Sequence, residues 1–405
     1  MFPSGVFHHP STNTLPIRAS SAREKITMIG RSWRRISAAT AVLGLLCAGM
    51  AAAQTPTPIP EQQYQPRPIP LGVSGGALDS LSAPPVYCIG GTLGALVADE
   101  NGLQYVTGCN HVLNVGPNGN LPIGSEVVQP GLIDSGCVQN TSYEIGTLSA
   151  IVPLVLGSTA ANKADAAMAL VTPGDVSSSI FGIGQVSETP ATPVKNLTVQ
   201  KVGRTTGYTT GTIALTGFQA TIALETKVAP LGKPIPHVDV HFVDLLKITP
   251  GTFANLGDSG ALVFTSGSCP QPVGVVIAVS MKNGVVQYVL ANPVTDVLAA
   301  LAKAGKHKSV TIVGSSCTAS AEMVAQASDL EKATADAEAV RKRHLAELMK
   351  IPHVTGVSLD VGPSEIIIDV WVDKPANVSE VERRVPSKLE GYDVDVLPEG
   401  TGIGA

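Results

Sequence analysis

A chain of 405 residues has room for two globular units. Only 4% of it is aromatic, while 41 glycines and 30 prolines favour many short strands joined by turns over long helices. The formal net charge is −5 at pH 7, and loss of residues 1–53, with six basic and one acidic residue, would take it to −10, which argues against nucleic-acid binding.

Arg31, Arg34 and Arg35 stand before an apolar stretch at 36–50, and Ala51-Ala52-Ala53 offers small residues for cleavage ahead of Gln54. A basic region, a short apolar core and a small-residue site make 1–53 a signal peptide with an upstream leader, Met28 being the better start. The core is too short for a membrane span, so a secreted or periplasmic protein without a stable span is expected. Arg34-Arg35 leaves twin-arginine and Sec export both open, and Cys47 follows Leu46, where a lipid-attachment motif needs a small residue. Prolines at 56, 58, 60, 66, 68 and 70 remove amide donors from a polar run, so 54–84 reads as a semi-rigid spacer.

Between residues 85 and 305, runs of Val, Ile and Thr recur at roughly ten-residue intervals, as an all-β pair of barrels requires. Tyr105-Val106-Thr107-Gly108-Cys109-Asn110-His111 places His111 where an apolar strand breaks into a loop. Asp165, at the mouth of the apolar strand Ala166-Ala167-Met168-Ala169-Leu170-Val171, carries a charge that needs a partner. Asp134 is the rival acid, but its Pro130, Gly131 and Gly136 neighbours read as a turn in which an aspartate binds nearby amides. In Pro236-His237-Val238-Asp239-Val240-His241, alternation puts His237, Asp239 and His241 on one strand face. Without a fourth ligand signal this reads as a polar face, and no metal is assigned.

Phe253-Ala254-Asn255-Leu256-Gly257-Asp258-Ser259-Gly260 is the most informative stretch. A serine between glycines is what an exposed nucleophile on a tight turn needs, and the glycines would allow the amides of Gly257 and Ser259 to face one developing oxyanion. Such a serine needs a histidine base and a carboxylate to orient it. His111, Asp165 and Ser259 supply them in that order.

On these residues, and on Gln200-Lys201-Val202-Gly203-Arg204-Thr205-Thr206-Gly207, the chain resembles the chymotrypsin-fold (trypsin-like) serine peptidases, in their secreted bacterial branch, from about residue 86 to 304. The resemblance implies a double β-barrel, with His111 as general base, Asp165 as orienting acid, Ser259 as nucleophile and the Gly257 and Ser259 amides as oxyanion hole. It implies a protein or peptide substrate and no cofactor. Phe253 falls at the base of the specificity pocket, with Ile277, Ala278 and Val279 as its wall and as the edge that pairs with substrate, so a small or apolar residue is expected before the cut bond. Two features depart from the family: Thr-Gly-Cys-Asn-His stands in place of Thr-Ala-Ala-His-Cys, and no Ile-Val-Gly-Gly activation site is present. Activation by a new N-terminus pairing with Asp258 is therefore not expected. Two other readings remain, a catalytically inactive binding module on the protease fold and a serine esterase.

Removal of the signal peptide leaves Cys88, Cys109, Cys137, Cys269 and Cys317, an odd number in an oxidising compartment. By the same resemblance Cys88 with Cys109 is the favoured bridge, Cys269 with Cys317 a further one, and spacing alone leaves the connectivity open.

Residues 292–302 read as an amphipathic helix that closes the catalytic region, and 306–320 as a linker. Residues 321–405 form a separate small α+β unit: a helix over 322–350, strands at 354–361 and 365–372, a short helix at 379–384 and a strand at 392–397. The helix carries Met323, Ala327, Leu330, Ala337, Val340, Leu345 and Leu348 along one stripe. This unit shows no catalytic constellation, and an inhibitory, folding or partner-binding role toward the catalytic domain is expected of it.

Overall fold

The computed structural model describes residues 58–404, apart from 85, 86, 231, 232, 235 and 318–320; the side chains of 158, 159 and 321–327 are also outside the description. The signal-peptide expectation for 1–53 therefore lies outside the described residues. Strands dominate the described residues, as the composition requires, in two eight-stranded sheets and smaller ones of four, three and two strands.

The first large sheet runs, in spatial order, Val310–Ile312, Leu96–Asp99, Gln104–Gly108, Ala167–Val171, Glu144–Ile151, Glu126–Val128, Ser74–Ala77 and Gly91–Thr92. In the second, Thr198–Gly203, Gly207–Glu225, His237–Thr249, Val285–Pro293, Pro272–Lys282 and Leu262–Thr265 close into a ring, because Gly207–Glu225 pairs with Thr198–Gly203 on one side and His237–Thr249 on the other. Closure removes the exposed strand edges. Alternation fills the ring with Val199, Ile213, Ile248, Val263, Val276 and Val289, all buried. The helix Val294–Gly305 follows, buried through Val294, Val297 and Leu301. It starts two residues later than expected, since Asn292 and Pro293 complete the preceding strand.

Residues 321–405 largely keep the expected order: helix Ala321–Leu348, strands Val354–Val361 and Ile366–Val372, a short helix Val378–Glu382 and a strand Tyr392–Pro398. Val340 and Leu348 of the long helix pack on Val357, Ile368, Val370 and Val372. The opposite sheet face lies on the second barrel. Trp371 is wholly buried there, edge-on to Phe218 with ring centroids 5.2 Å apart. Removing that indole from water contributes on the order of 4 kcal/mol. Asp360 accepts the Thr216 amide at 2.9 Å and pairs with Lys195 at 2.8 Å.

The structure corrects several boundaries. The spacer expected over 54–84 contains Ile69–Leu71 and Ser74–Ala77, both in sheets, because Ile69, Leu71, Val73 and Ala77 bury their side chains and Pro70 lies within the first of these strands. In the expected linker 306–320, Val310–Ile312 pairs with Leu96–Asp99 through the apolar Val310 and Ile312. Cys88 bridges Cys137, not Cys109, whereas Cys269 bridges Cys317. Cys109 is free because it points inward at a helix start, its thiol donating to the Val276 carbonyl at 3.3 Å.

Asp369 lies in the interface between the α+β unit and the barrel, and burial, with Asp360 and Asp395 nearby, raises its pKa to about 8 from 3.8. Its Oδ2 is buried without a hydrogen-bond partner among the described residues. The folded protein thus keeps a proton that the unfolded chain releases, so stability falls as pH rises from about 4 to about 8 and then levels off. Asp369→Asn removes that proton linkage and should stabilise the protein at pH 7 by on the order of 2 to 4 kcal/mol. Urea denaturation at pH 5 and pH 8 checks this; an equal stability difference at both pH values would refute it.

Candidate active site

Pairing of Gly108 with Ala167 in the first sheet sets the end of one strand beside the start of the other, and so brings His111 to Asp165. After Gly108 the chain enters the short helix Asn110–Leu113. Asn110, the unusual residue before the histidine, fixes that helix by donating from Nδ2 to the Val152 carbonyl at 2.8 Å, while Asn114 donates to its Oδ1 at 2.9 Å. Cys109 packs beneath. Burial, and then the Asp165 charge, push its thiol well above the ordinary range, so the sulfur stays protonated.

Asp165 is wholly buried, and its backbone amide donates to Asn292 Oδ1 at 2.9 Å. Its Oδ1 accepts the His111 backbone amide at 3.2 Å, and its Oδ2 lies 2.5 Å from His111 Nδ1. A carboxylate only accepts, so Nδ1 carries the proton and Nε2 is left as an acceptor. Nε2 lies 2.8 Å from Ser259 Oγ. Asp134, the alternative acid, is instead held by Arg204 at 2.6 Å and by Ser74 at 2.5 Å.

Ser259 comes from the second barrel, and its carbonyl accepts the Thr92 amide of the first sheet at 2.8 Å, which locks the two halves across the site. The four-residue turn before it is closed by the Asp258 amide donating to the Asn255 carbonyl at 3.0 Å. Gly257 sits in that turn at φ +97°, open to glycine, and an added Cβ would meet Thr205 Oγ1 at 2.3 Å. No protein group takes the amide protons of Gly257 and Ser259 among the described residues.

Asp258 is fully buried. It accepts the amides of Thr205 at 2.8 Å, Thr206 at 3.2 Å and Asn255 at 2.9 Å, and the Thr206 hydroxyl at 2.7 Å. Its counterion is Lys201, also fully buried, with Nζ 3.5 Å from Oδ2. Lys201 also donates to the Gly207 carbonyl at 3.0 Å and to the Thr206 hydroxyl. An internal lysine thus stands where a new N-terminus would have to bind.

The expected pocket residues are buried. Phe253 is enclosed in the barrel core with Val199, Ile248 and Val276, its ring admitted by the missing side chain of Gly211. Ile277, Ala278 and Val279 are buried in the strand Pro272–Lys282, and Ala278 and Val279 pair with Gly404 and Ile403. His237 and Asp239 are exposed, whereas His241 is buried with Nδ1 3.9 Å from Glu399. Sequence reasoning overlooked Asn292, the role of Lys201 and the strand Gly400–Gly404; in the last, the alternation Gly-Thr-Gly-Ile-Gly was the available signal.

The architecture is an all-β double barrel of the chymotrypsin type with an added α+β unit, and bacterial serine proteases are among the solved structures similar to it. No protein-family model and no curated protein matches the chain. A glutamic acid-specific serine protease shares 17% identity over 60% of this chain and 100% of its own, with a TM-score of 0.37. A Nocardiopsis protease shares 16% over 55% and 92%, TM-score 0.36, and Thermobifida fusca protease A 18% over 56% and 92%, TM-score 0.35.

Proposed function

We propose that the chain is a serine endopeptidase acting outside the cytoplasm, with Ser259 as nucleophile, His111 as general base and Asp165 as the acid that orients it. The observation that carries this reading is the continuous line Asp165 Oδ2, His111 Nδ1, His111 Nε2, Ser259 Oγ, with steps of 2.5 Å and 2.8 Å at its ends. As Ser259 Oγ attacks a peptide carbonyl, its proton passes to Nε2, and the buried Asp165 carboxylate stabilises the imidazolium. The amides of Gly257 and Ser259 receive the oxyanion. His111 then gives its proton to the leaving amine, and a water activated by the same nitrogen releases the acyl group. Side chains, backbone amides and water suffice for these steps.

We keep a small or apolar residue as the favoured one before the cut bond, since Phe253, Ile277, Ala278 and Val279 bring no charge of their own, although all four are enclosed in the barrel and its strands. The two disulfides fit an oxidising compartment. No helix among the described residues is long and apolar enough to cross a membrane.

A fluorophosphonate probe tests the reading. Wild-type protein should be labelled at Ser259, and Ser259→Ala and His111→Ala should both lose labelling by at least ~10³-fold. Absence of label on the folded protein, both as wild type and as a chain ending at Glu399, would refute it.

A further inference from the structure

The strand Gly400–Gly404 leaves the α+β unit and inserts into the second barrel's sheet beside the candidate active site. It runs antiparallel to Pro272–Lys282, with Gly404 opposite Ala278 and Ile403 opposite Val279. On its other side it runs parallel to Gly207–Glu225, with Gly400 to Ile403 opposite Ala220 to Ala223. The edge it covers, Ala278 and Val279, is the one expected to pair with substrate backbone. An unpaired strand edge accepts an extended peptide through main-chain hydrogen bonds, and the spaces under alternate residues set which side chains fit.

Those spaces fit this segment closely. A Cβ on Gly402 would lie 3.3 Å from both Ala278 Cβ and Leu290 Cδ1, and one on Gly404 would lie 3.1 Å from Leu224 Cδ2 and 3.2 Å from His111 Nε2. On Gly400 it would meet the Phe218 ring at 2.5 Å. Glycine at every second position lets the backbone settle into the cleft, while Thr401 and Ile403 face solvent. The polarity also matches, since the chain advances toward His111, as the residues before a cut bond must. The Tyr288 hydroxyl donates to the Thr401 carbonyl at 3.4 Å, and the Glu399 amide to the Val372 carbonyl at 3.0 Å, anchoring the strand at its entry.

We propose that Gly400–Gly404 is an intramolecular pseudo-substrate that fills the acyl side of the cleft and blocks peptide entry until it is displaced; this rests on the endopeptidase reading above. A tethered segment competes at an effective concentration on the order of millimolar, so even modest intrinsic affinity suffices to hold substrate out.

The test is a full-length Gly402→Glu/Gly404→Glu variant, whose carboxylates cannot enter the spaces under the strand. It should cleave an Ala-Ala-Pro-Ala p-nitroanilide at least tenfold faster than wild type, and added peptide Gly-Thr-Gly-Ile-Gly-Ala should inhibit it competitively. Thr401→Glu, on the exposed face, should match wild type. If the double variant misfolds, a chain ending at Glu399 is the second test and should show the same gain and the same inhibition by added peptide. Equal cleavage by wild type and both opened forms, with Ser259 labelled by fluorophosphonate in all, would overturn the proposal and leave the endopeptidase reading standing. Absence of labelling in every folded form would instead overturn the endopeptidase reading, and the block with it.

Discussion

Asp165→Asn is expected to lower the rate of peptide cleavage, and of fluorophosphonate labelling, by about 10⁴-fold while leaving the fold intact. The carboxylate is wholly buried and its Oδ2 is 2.5 Å from His111 Nδ1, so this contact requires a proton on that nitrogen. An amide in its place can present its NH2 group to Nδ1, which must then accept, and the imidazole proton moves to Nε2. Nε2 sits 2.8 Å from Ser259 Oγ and in that tautomer cannot take the serine's proton. Neighbouring groups are little disturbed, since the Asp165 amide still donates to Asn292 Oδ1 and the amide oxygen can still accept from the His111 backbone. Circular dichroism and the melting temperature should therefore stay near wild type while labelling collapses. Labelling within tenfold of wild type would show that Asp165 does not set the tautomer and would move attention to another orienting group.

What could be read from the sequence follows the range of the interactions concerned. Gly257-Asp258-Ser259-Gly260 is a local signal, because turn geometry is decided within a few residues, and the order His111, Asp165, Ser259 supplied its context. The strands at 354–361 and 365–372 were legible from alternation, and the structure has Val354–Val361 and Ile366–Val372. Disulfide partners were not legible. Cys88 and Cys109 are close in sequence, yet Cys109 turns its sulfur to the Val276 carbonyl, a contact across 167 positions. The strand Gly400–Gly404 carries almost no side-chain mass, and glycine normally weakens strand propensity. Its place is decided by a cleft built from residues 111, 224, 278 and 290, which no local window contains. Asn292 reads locally as the start of a helix, and its side chain instead accepts the amide of Asp165 from 127 positions away.

Lys201→Met should cost about 3 to 5 kcal/mol of stability and lower catalysis further than that loss of fold explains. Both members of the Lys201–Asp258 pair are wholly removed from solvent, and burial already pulls the Lys201 pKa down against the pull of Asp258. Methionine fills similar volume but leaves the Asp258 carboxylate buried without a counterion, still holding the amides of Thr205, Thr206 and Asn255. The Asn255 contact is the critical one, because the same turn sets Gly257 at φ +97°, and the amides of Gly257 and Ser259 are the oxyanion donors proposed above. A carboxylate that protonates or swings toward water loosens the turn, and loss of one oxyanion donor costs about 10² to 10³ in rate. The double variant Lys201→Met/Asp258→Asn separates the two effects. Neutralising both partners should recover most of the stability, since the unpaired charge is gone, while the rate stays low if the charged carboxylate is what holds the turn. Urea denaturation and single-turnover labelling of the three proteins measure both quantities. A single variant as stable and as reactive as wild type would mean that Asp258 needs no internal cation, and an N-terminus or another group would then have to be sought as its partner.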